Sequence, residues 1–115
     1  MTKIQTLGHP SKRTWFTYGG SVNKGTTLVQ QSGKPFISTE LYKSALKTFS
    51  GRSVPGGFNM TDPIPGGFGG WLQENSRSFG RFLTPRHGSF IAAVLVHEGY
   101  ISNSREGLKV ILHFP

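Results

Sequence analysis

The chain has 115 residues, with 13 Lys+Arg against 5 Asp+Glu and a formal net charge of +8. Cysteine is absent, which excludes disulfides, thiolate zinc sites, iron–sulfur clusters and a cysteine nucleophile. No run approaches the ~18 apolar residues of a membrane span, and residues 1–10 do not resemble a signal peptide. We therefore expect a soluble, cytoplasmic protein without membrane contact, either nucleoid-associated or virus-encoded. Nine Phe, three Tyr and two Trp suffice for one core, so residues 1–115 are predicted to form a single domain.

Positive charge is concentrated in the first half of the chain. Residues 1–55 carry eight Lys or Arg and one Glu, whereas residues 56–115 carry five Lys or Arg and four Asp or Glu. The two halves thus have net charges of +7 and +1. A nearly acid-free half indicates a surface that meets phosphates. A generically basic protein with scattered lysines is the alternative interpretation.

The first 37 residues form a basic, β-rich segment and predict a small antiparallel sheet. Gly19-Gly20 is predicted to end the second strand as a turn, and residues 31–33 have the composition of a hairpin turn. The four strands are assigned from alternating, β-branched and aromatic residues. Their predicted ranges are Lys3–Leu7, Arg13–Tyr18, Thr26–Gln30 and Lys34–Ile37.

The second of these strands combines basic and aromatic residues. On a strand, Trp15 faces opposite to Phe16, with Arg13 on its own side. An exposed Trp15, close in sequence to Lys12 and Arg13, would be a stacking platform for a single-stranded base. One face of the strand must pack on the core, and either Phe16 and Tyr18 or Trp15 fills it.

Residues 38–114 predict three helices. The first follows Ser38 or Thr39, either of which can cap it, and ends at Gly51. Its apolar stripe leaves Lys43 and Lys47, four residues apart, on one exposed face.

The second helix is predicted over Gly69–Phe79 and the third after Thr84-Pro85, a cap followed by proline at the first helical position. The body of the third helix, Phe90–Val96, is the most apolar run in the chain and is expected to be buried on most sides. Gly99 ends it. Two β-rich segments then flank Ser102–Gly107, which is predicted to be the flexible tip of a hairpin.

A short motif occurs twice between the first and second helices, as Val54–Phe58 and Ile64–Phe68. Each copy is predicted to make a Pro-Gly turn that places one Phe in the core. A glycine-rich phosphate cradle is disfavoured, because no Lys-Ser/Thr pair follows the glycines.

The order of helix, helix, helix and hairpin over residues 38–114 resembles that of winged helix DNA-binding domains. The resemblance rests on Leu83–Ser89, followed by Ile91, Leu95 and Gly99–Ile101. It implies a winged-helix-like α+β fold in which Arg86, His87 and Ser89, at the start of the third helix, face a DNA groove. Arg86 would then bind a guanine edge. An ordinary loop cation is the alternative interpretation of Arg86.

The sequence thus predicts an α+β protein that binds nucleic acid, with DNA favoured over RNA and duplex DNA as the favoured ligand. No cofactor or metal is expected. An acidic protein partner of a small phage or viral component is the alternative explanation of the basic face. The predicted nucleic-acid-binding residues are Lys12, Arg13, Trp15, Lys43, Lys47, Arg52, Arg77, Arg81, Arg86, His87 and Ser89.

An enzyme is disfavoured, because paired carboxylates or two-metal sites would have to come from only five acids spread along the chain. The remaining enzymatic alternative is a metal-independent nuclease, in which His87 or His97 acts with Lys or Arg.

Overall fold

A computed structural model describes residues 1–8, 14–31, 33–60 and 64–115. The chain has an α+β fold, as the sequence predicts, and these ranges contain two antiparallel sheets and three α-helices. The first sheet has the order β1-β2-β3-β4 and the second the order β5-β7-β6. The strands are β1 Thr2–Gln5, β2 Trp15–Ser21, β3 Gly25–Val29, β4 Phe36–Ile37, β5 Ser53–Pro55, β6 Ser102–Glu106 and β7 Lys109–His113.

The first helix, α1, spans Thr39–Thr48 and starts where the local signals predict. The Ser38 hydroxyl accepts a hydrogen bond from the Leu41 backbone N–H, which satisfies one of the free donors of the first turn. Its apolar stripe is buried, whereas Lys43 and Lys47 are exposed. The helix therefore presents a basic face to solvent.

The second helix, α2, spans Phe68–Asn75 and continues as a 3-10 turn over Ser76–Phe79. Gly80 follows with a positive φ of 100°, a conformation that glycine adopts without strain, and the helix ends there. A short 3-10 turn over Pro85–His87 precedes the third helix, α3, which spans Gly88–His97. Both helices agree with the prediction in type and approximate bounds.

The first sheet packs its inner face on α1 and α3. The Phe16 ring meets Phe90 of α3 edge-on, with centroids 4.9 Å apart, and the Tyr42 hydroxyl of α1 lies 2.7 Å from Thr26 Oγ1. Leu7 N–H also donates to the Ser89 carbonyl, at 3.2 Å. Residues 88–95 of α3 are all buried, so this helix forms the centre of the core.

The second sheet packs its inner face on the end of α1 and the start of α2. Val54, Val110 and Leu112 point inward, and the Phe114 ring lies 5.2 Å from that of Phe49. Arg105 of β6 donates to the Gly8 carbonyl at 2.9 Å, which ties this sheet to the segment that follows β1.

Two sequence predictions of local structure were wrong. Gly19-Gly20 is not a turn, because β2 continues through both residues and pairs with β3. Gly19 lies beneath the Met1 side chain, and a side chain on Gly20 would collide with the Gly25 carbonyl, so the glycines serve close packing. Ser102–Glu106 is not a loop but strand β6, and the hairpin turn is reduced to Gly107-Leu108.

The repeated motif also differs from the prediction. Its first copy contributes β5, which pairs with β7, and only the second copy makes a turn, closed by Gly67 N–H to the Ile64 carbonyl at 2.9 Å. Phe68 is fully buried and Phe58 is partly buried against the core. The two copies meet where Gly69 N–H donates to the Gly56 carbonyl at 2.8 Å. The backbone N–H groups of Gly56, Gly67 and Gly69 thus donate to backbone carbonyls rather than being free to bind a phosphate.

Candidate nucleic-acid interface

Side chains on β2 alternate between core and solvent. Phe16 and Tyr18 are 4% and 3% exposed and fill the inner face, whereas Trp15 is 60% exposed. This resolves the two alternatives that the sequence left open. Trp15 pairs with Gln5 of β1, and its ring lies 5.5 Å from the Lys3 ammonium nitrogen, an arrangement typical of a cation–π contact.

The same alternation defines the outward surface of the first sheet, which we call the outer face. Phe36 of β4 belongs to it and is 55% exposed, with its ring against Gly25. Lys3 is the one charged residue within the four described strands, and Lys24 and Lys34 are exposed in the segments that connect them. The outer face consists of Lys3, Gln5, Trp15, Thr17, Thr27, Val29 and Phe36.

A second basic surface surrounds the connection between α2 and α3. The Arg77 guanidinium lies 4.8 Å from the centre of the Phe82 ring, and Phe82 is 42% exposed. Arg81 and Arg86 are also exposed, and the charges of both act on His87. We call Arg77, Arg81, Phe82 and Arg86 the arginine patch.

His87 holds the start of the third helix. Its Nδ1 accepts a hydrogen bond from the Thr84 backbone N–H at 3.1 Å and lies 3.0 Å from Thr84 Oγ1. Burial lowers the pKa of His87 below its ordinary value, and the positive charges of Arg81 and Arg86 lower it further. His87 therefore favours the neutral, hydrogen-bond-accepting form needed for this structural role.

The body of the third helix is buried and offers no surface that could read a DNA groove. Ser89 is 7% exposed, and its hydroxyl donates to the Arg86 carbonyl at 2.9 Å. The first sheet packs on α3 and buries residues 88–95, so contact with a ligand is left to the exposed Arg86 before the helix. Of the three residues predicted to face DNA, Arg86 alone is exposed.

The other predicted binding residues are distributed as follows. Lys43 and Lys47 are exposed on α1, and the Arg52 guanidinium lies 5.6 Å from the centre of the Phe49 ring. Lys12 and Arg13 lie outside the described residues. The structure therefore brings three of the predicted arginines into the arginine patch but places Trp15 on the outer face.

Two groups of surface residues were missed by the sequence analysis. Phe36 could have been found, because it alternates with the buried Ile37 and follows Lys34 closely. The other group surrounds His113, whose Nδ1 and Nε2 lie 2.7 Å from the hydroxyls of Ser53 and Ser104. Ser53 belongs to a strand distant in sequence from His113, and no local pattern predicts that contact.

The histidines proposed for a nuclease have other surroundings. His87 caps the turn before α3, and the ring of His97, the last residue of α3, meets that of Tyr18 edge-on at 6.4 Å. Among the described residues, no group of three His, Asp or Glu side chains could hold a metal ion. No helix in the described ranges is long and apolar enough to cross a bilayer.

The chain matches no protein-family model, no curated protein and no solved structure.

Proposed function

We propose that this protein binds nucleic acid through its basic surface. The observation that carries the proposal is that a cation lies beside an exposed aromatic ring at two places, Lys3 at Trp15 and Arg77 at Phe82. Nucleic acid combines phosphates, which cations bind, with bases, which stack on aromatic rings. The net charge of +8 supplies the long-range attraction for such a polyanion.

The exposed lysines of α1 add a phosphate-binding surface. Lys43 and Lys47 project from a helix whose opposite side is buried in the core, so their position is fixed by packing. Contacts to phosphates do not depend on base sequence. We therefore expect these lysines to contribute affinity rather than specificity.

The test measures binding to duplex DNA, single-stranded DNA and RNA at two salt concentrations. Affinity should fall linearly with salt on a log–log plot, with a slope of about −0.9 per phosphate contact on duplex DNA and about −0.7 on single strands. The double variant Lys43→Glu/Lys47→Glu should bind all sequences more weakly and show a shallower slope.

The matched control is Lys43→Arg/Lys47→Arg, which keeps both charges on the same helix and should retain the affinity. Glu, Lys and Arg have similar helix propensities, so circular dichroism should be unchanged in both variants. If the wild-type protein binds none of the three nucleic acids at low salt, the proposal is wrong. An acidic protein partner would then explain the charge.

A further inference from the structure

The outer face is open to solvent and carries two exposed aromatic rings. Trp15 and Phe36 project from β2 and β4, and Thr17, Thr27 and Val29 lie between them, only partly covered. Gly19 and Gly25 carry no side chains on this face, and the Met1 side chain and the Phe36 ring lie over them. The Phe36 ring thus lies on the backbone of Gly25, and the Trp15 ring lies beside the Lys3 ammonium group.

The spacing of the two rings follows from the strand register. Phe36 pairs with Thr27, and Thr27 with Gly19, so Phe36 lies two strands away from β2 and level with a position four residues beyond Trp15. Strands about 4.8 Å apart and a rise of about 3.4 Å per residue place the two Cα atoms roughly 17 Å apart along a diagonal. A ligand that contacts both rings must therefore be extended and cross several strands.

We propose that the outer face binds single-stranded nucleic acid, with one base stacked on Trp15, another on Phe36, and Lys3 bound to a phosphate near the first base. This inference rests on the proposed function and names its ligand. The strand runs diagonally across β2, β3 and β4. Because every base has a π-face and the intervening side chains are small, binding is tolerant of sequence.

A single strand can place the face of a base on an exposed ring, whereas a duplex cannot. In a duplex, each base is stacked between its neighbours, so its face cannot cover an exposed indole ring. In a single strand, bases can leave the stack and lie on Trp15 or Phe36. The buried position of α3 removes the groove-reading route that would favour a duplex.

Charge distinguishes a nucleic acid from a protein ligand on this face. The four described strands contain no Asp or Glu, and Lys24 and Lys34 are exposed beside them. An apolar protein partner would need no cation next to Trp15, whereas a nucleotide supplies a phosphate for Lys3 as well as a base for the ring.

The experiment uses the full chain and an oligothymidylate of about 15 nucleotides, a length within the range that single-strand-binding domains cover. Trp15→Ala should weaken binding roughly 5- to 150-fold, the range corresponding to the loss of one stacked base. Phe36→Ala should have a similar effect, and Trp15→Phe should restore much of the affinity. The matched control is Leu108→Ala, which removes a side chain that is 66% exposed in the turn of the second sheet.

The expected ranking is that DNA and RNA single strands bind comparably and more tightly than a duplex of the same length. Unchanged melting temperatures would show that Trp15→Ala and Phe36→Ala fold normally. If the wild-type protein binds nucleic acid but both variants bind as tightly as Leu108→Ala, the stacking surface is refuted while the proposed function stands. Tighter binding to duplex would also refute it. If no nucleic acid binds, both proposals fail, and an acidic protein partner becomes the explanation.

Discussion

The two sheets have similar inner faces but different outer faces. Both pack apolar side chains on the helices, through Phe16 and Leu28 in the first sheet and Val54 and Leu112 in the second. The first sheet leaves Trp15 60% exposed beside an ammonium group. On the second, His113 is hydrogen-bonded on both ring nitrogens by serine hydroxyls.

This difference indicates which of the two outer faces can bind a ligand more favourably. Binding of a ligand over an exposed ring lowers the free energy of the complex, because apolar surface is removed from water. A polar side chain already hydrogen-bonded within the protein gains little from a new partner. The outer face of the first sheet is therefore the better candidate for binding.

The largest expected effect separates the two faces of β2. Phe16→Ala should lower the free energy of unfolding by about 3–5 kcal/mol, since the ring is buried against Phe90. Trp15→Ala, one residue away, should lower it by less than about 1 kcal/mol, because its ring contacts mainly solvent and Lys3. Urea denaturation measures both. Similar losses for the two variants would mean that Trp15 is part of the core.

A smaller effect concerns the close approach of Gly69 to the Gly57 backbone, just after β5. A side chain on Gly69 would collide with the Gly57 carbonyl, so Gly69→Ala should destabilise the protein by about 1–3 kcal/mol. The adjacent Gly70 is the matched control, because the nearest atom to an added Cβ is the Ile64 carbonyl oxygen, 3.9 Å away. Gly70→Ala should stabilise α2 by about 0.5–1 kcal/mol. Effects of the same sign in thermal unfolding would contradict the close approach of the repeated motifs.

The elements that the sequence predicted well are those with local signals. The cap at Ser38, the Thr84-Pro85 start and the long apolar run of α3 each depend on residues within one or two turns. One missed strand depends on distant partners, and the other is a polar segment without an apolar alternation. Ser53–Pro55 becomes a strand because it pairs with residues 111–113, and Ser102–Glu106 becomes one through the same central strand.

The candidate site was predictable only in part, for the same reason. Alternation along β2 showed that Trp15 and Phe16 face opposite ways, but which of them meets the core depends on where α3 packs. Net charge predicted a basic surface, but it could not show that α3 is covered and that Ser89 is buried. The resemblance to winged helix domains predicted element order, whereas burial decides which element can meet a ligand.

The smallest expected effect concerns the outer face of the second sheet. Ser53 and Ser104 hold opposite nitrogens of the His113 ring, each at 2.7 Å, and an imidazole offers one donor and one acceptor when neutral. Ser53→Ala or Ser104→Ala alone should cost less than about 1 kcal/mol, because both hydrogen bonds are exposed and the remaining serine still orients the ring. The double variant should lose more than the sum of the single losses, since no serine then holds the ring.

Urea denaturation of the two single variants and the double variant measures this coupling, and Ser78→Ala, an exposed serine outside both sheets, is the control. All three variants should bind the oligothymidylate as the wild-type protein does, because their contacts are confined to the second sheet. Strict additivity would show that the two hydrogen bonds act independently. A loss of affinity comparable to that of Trp15→Ala would place the ligand on the second sheet and reverse the assignment of the two outer faces.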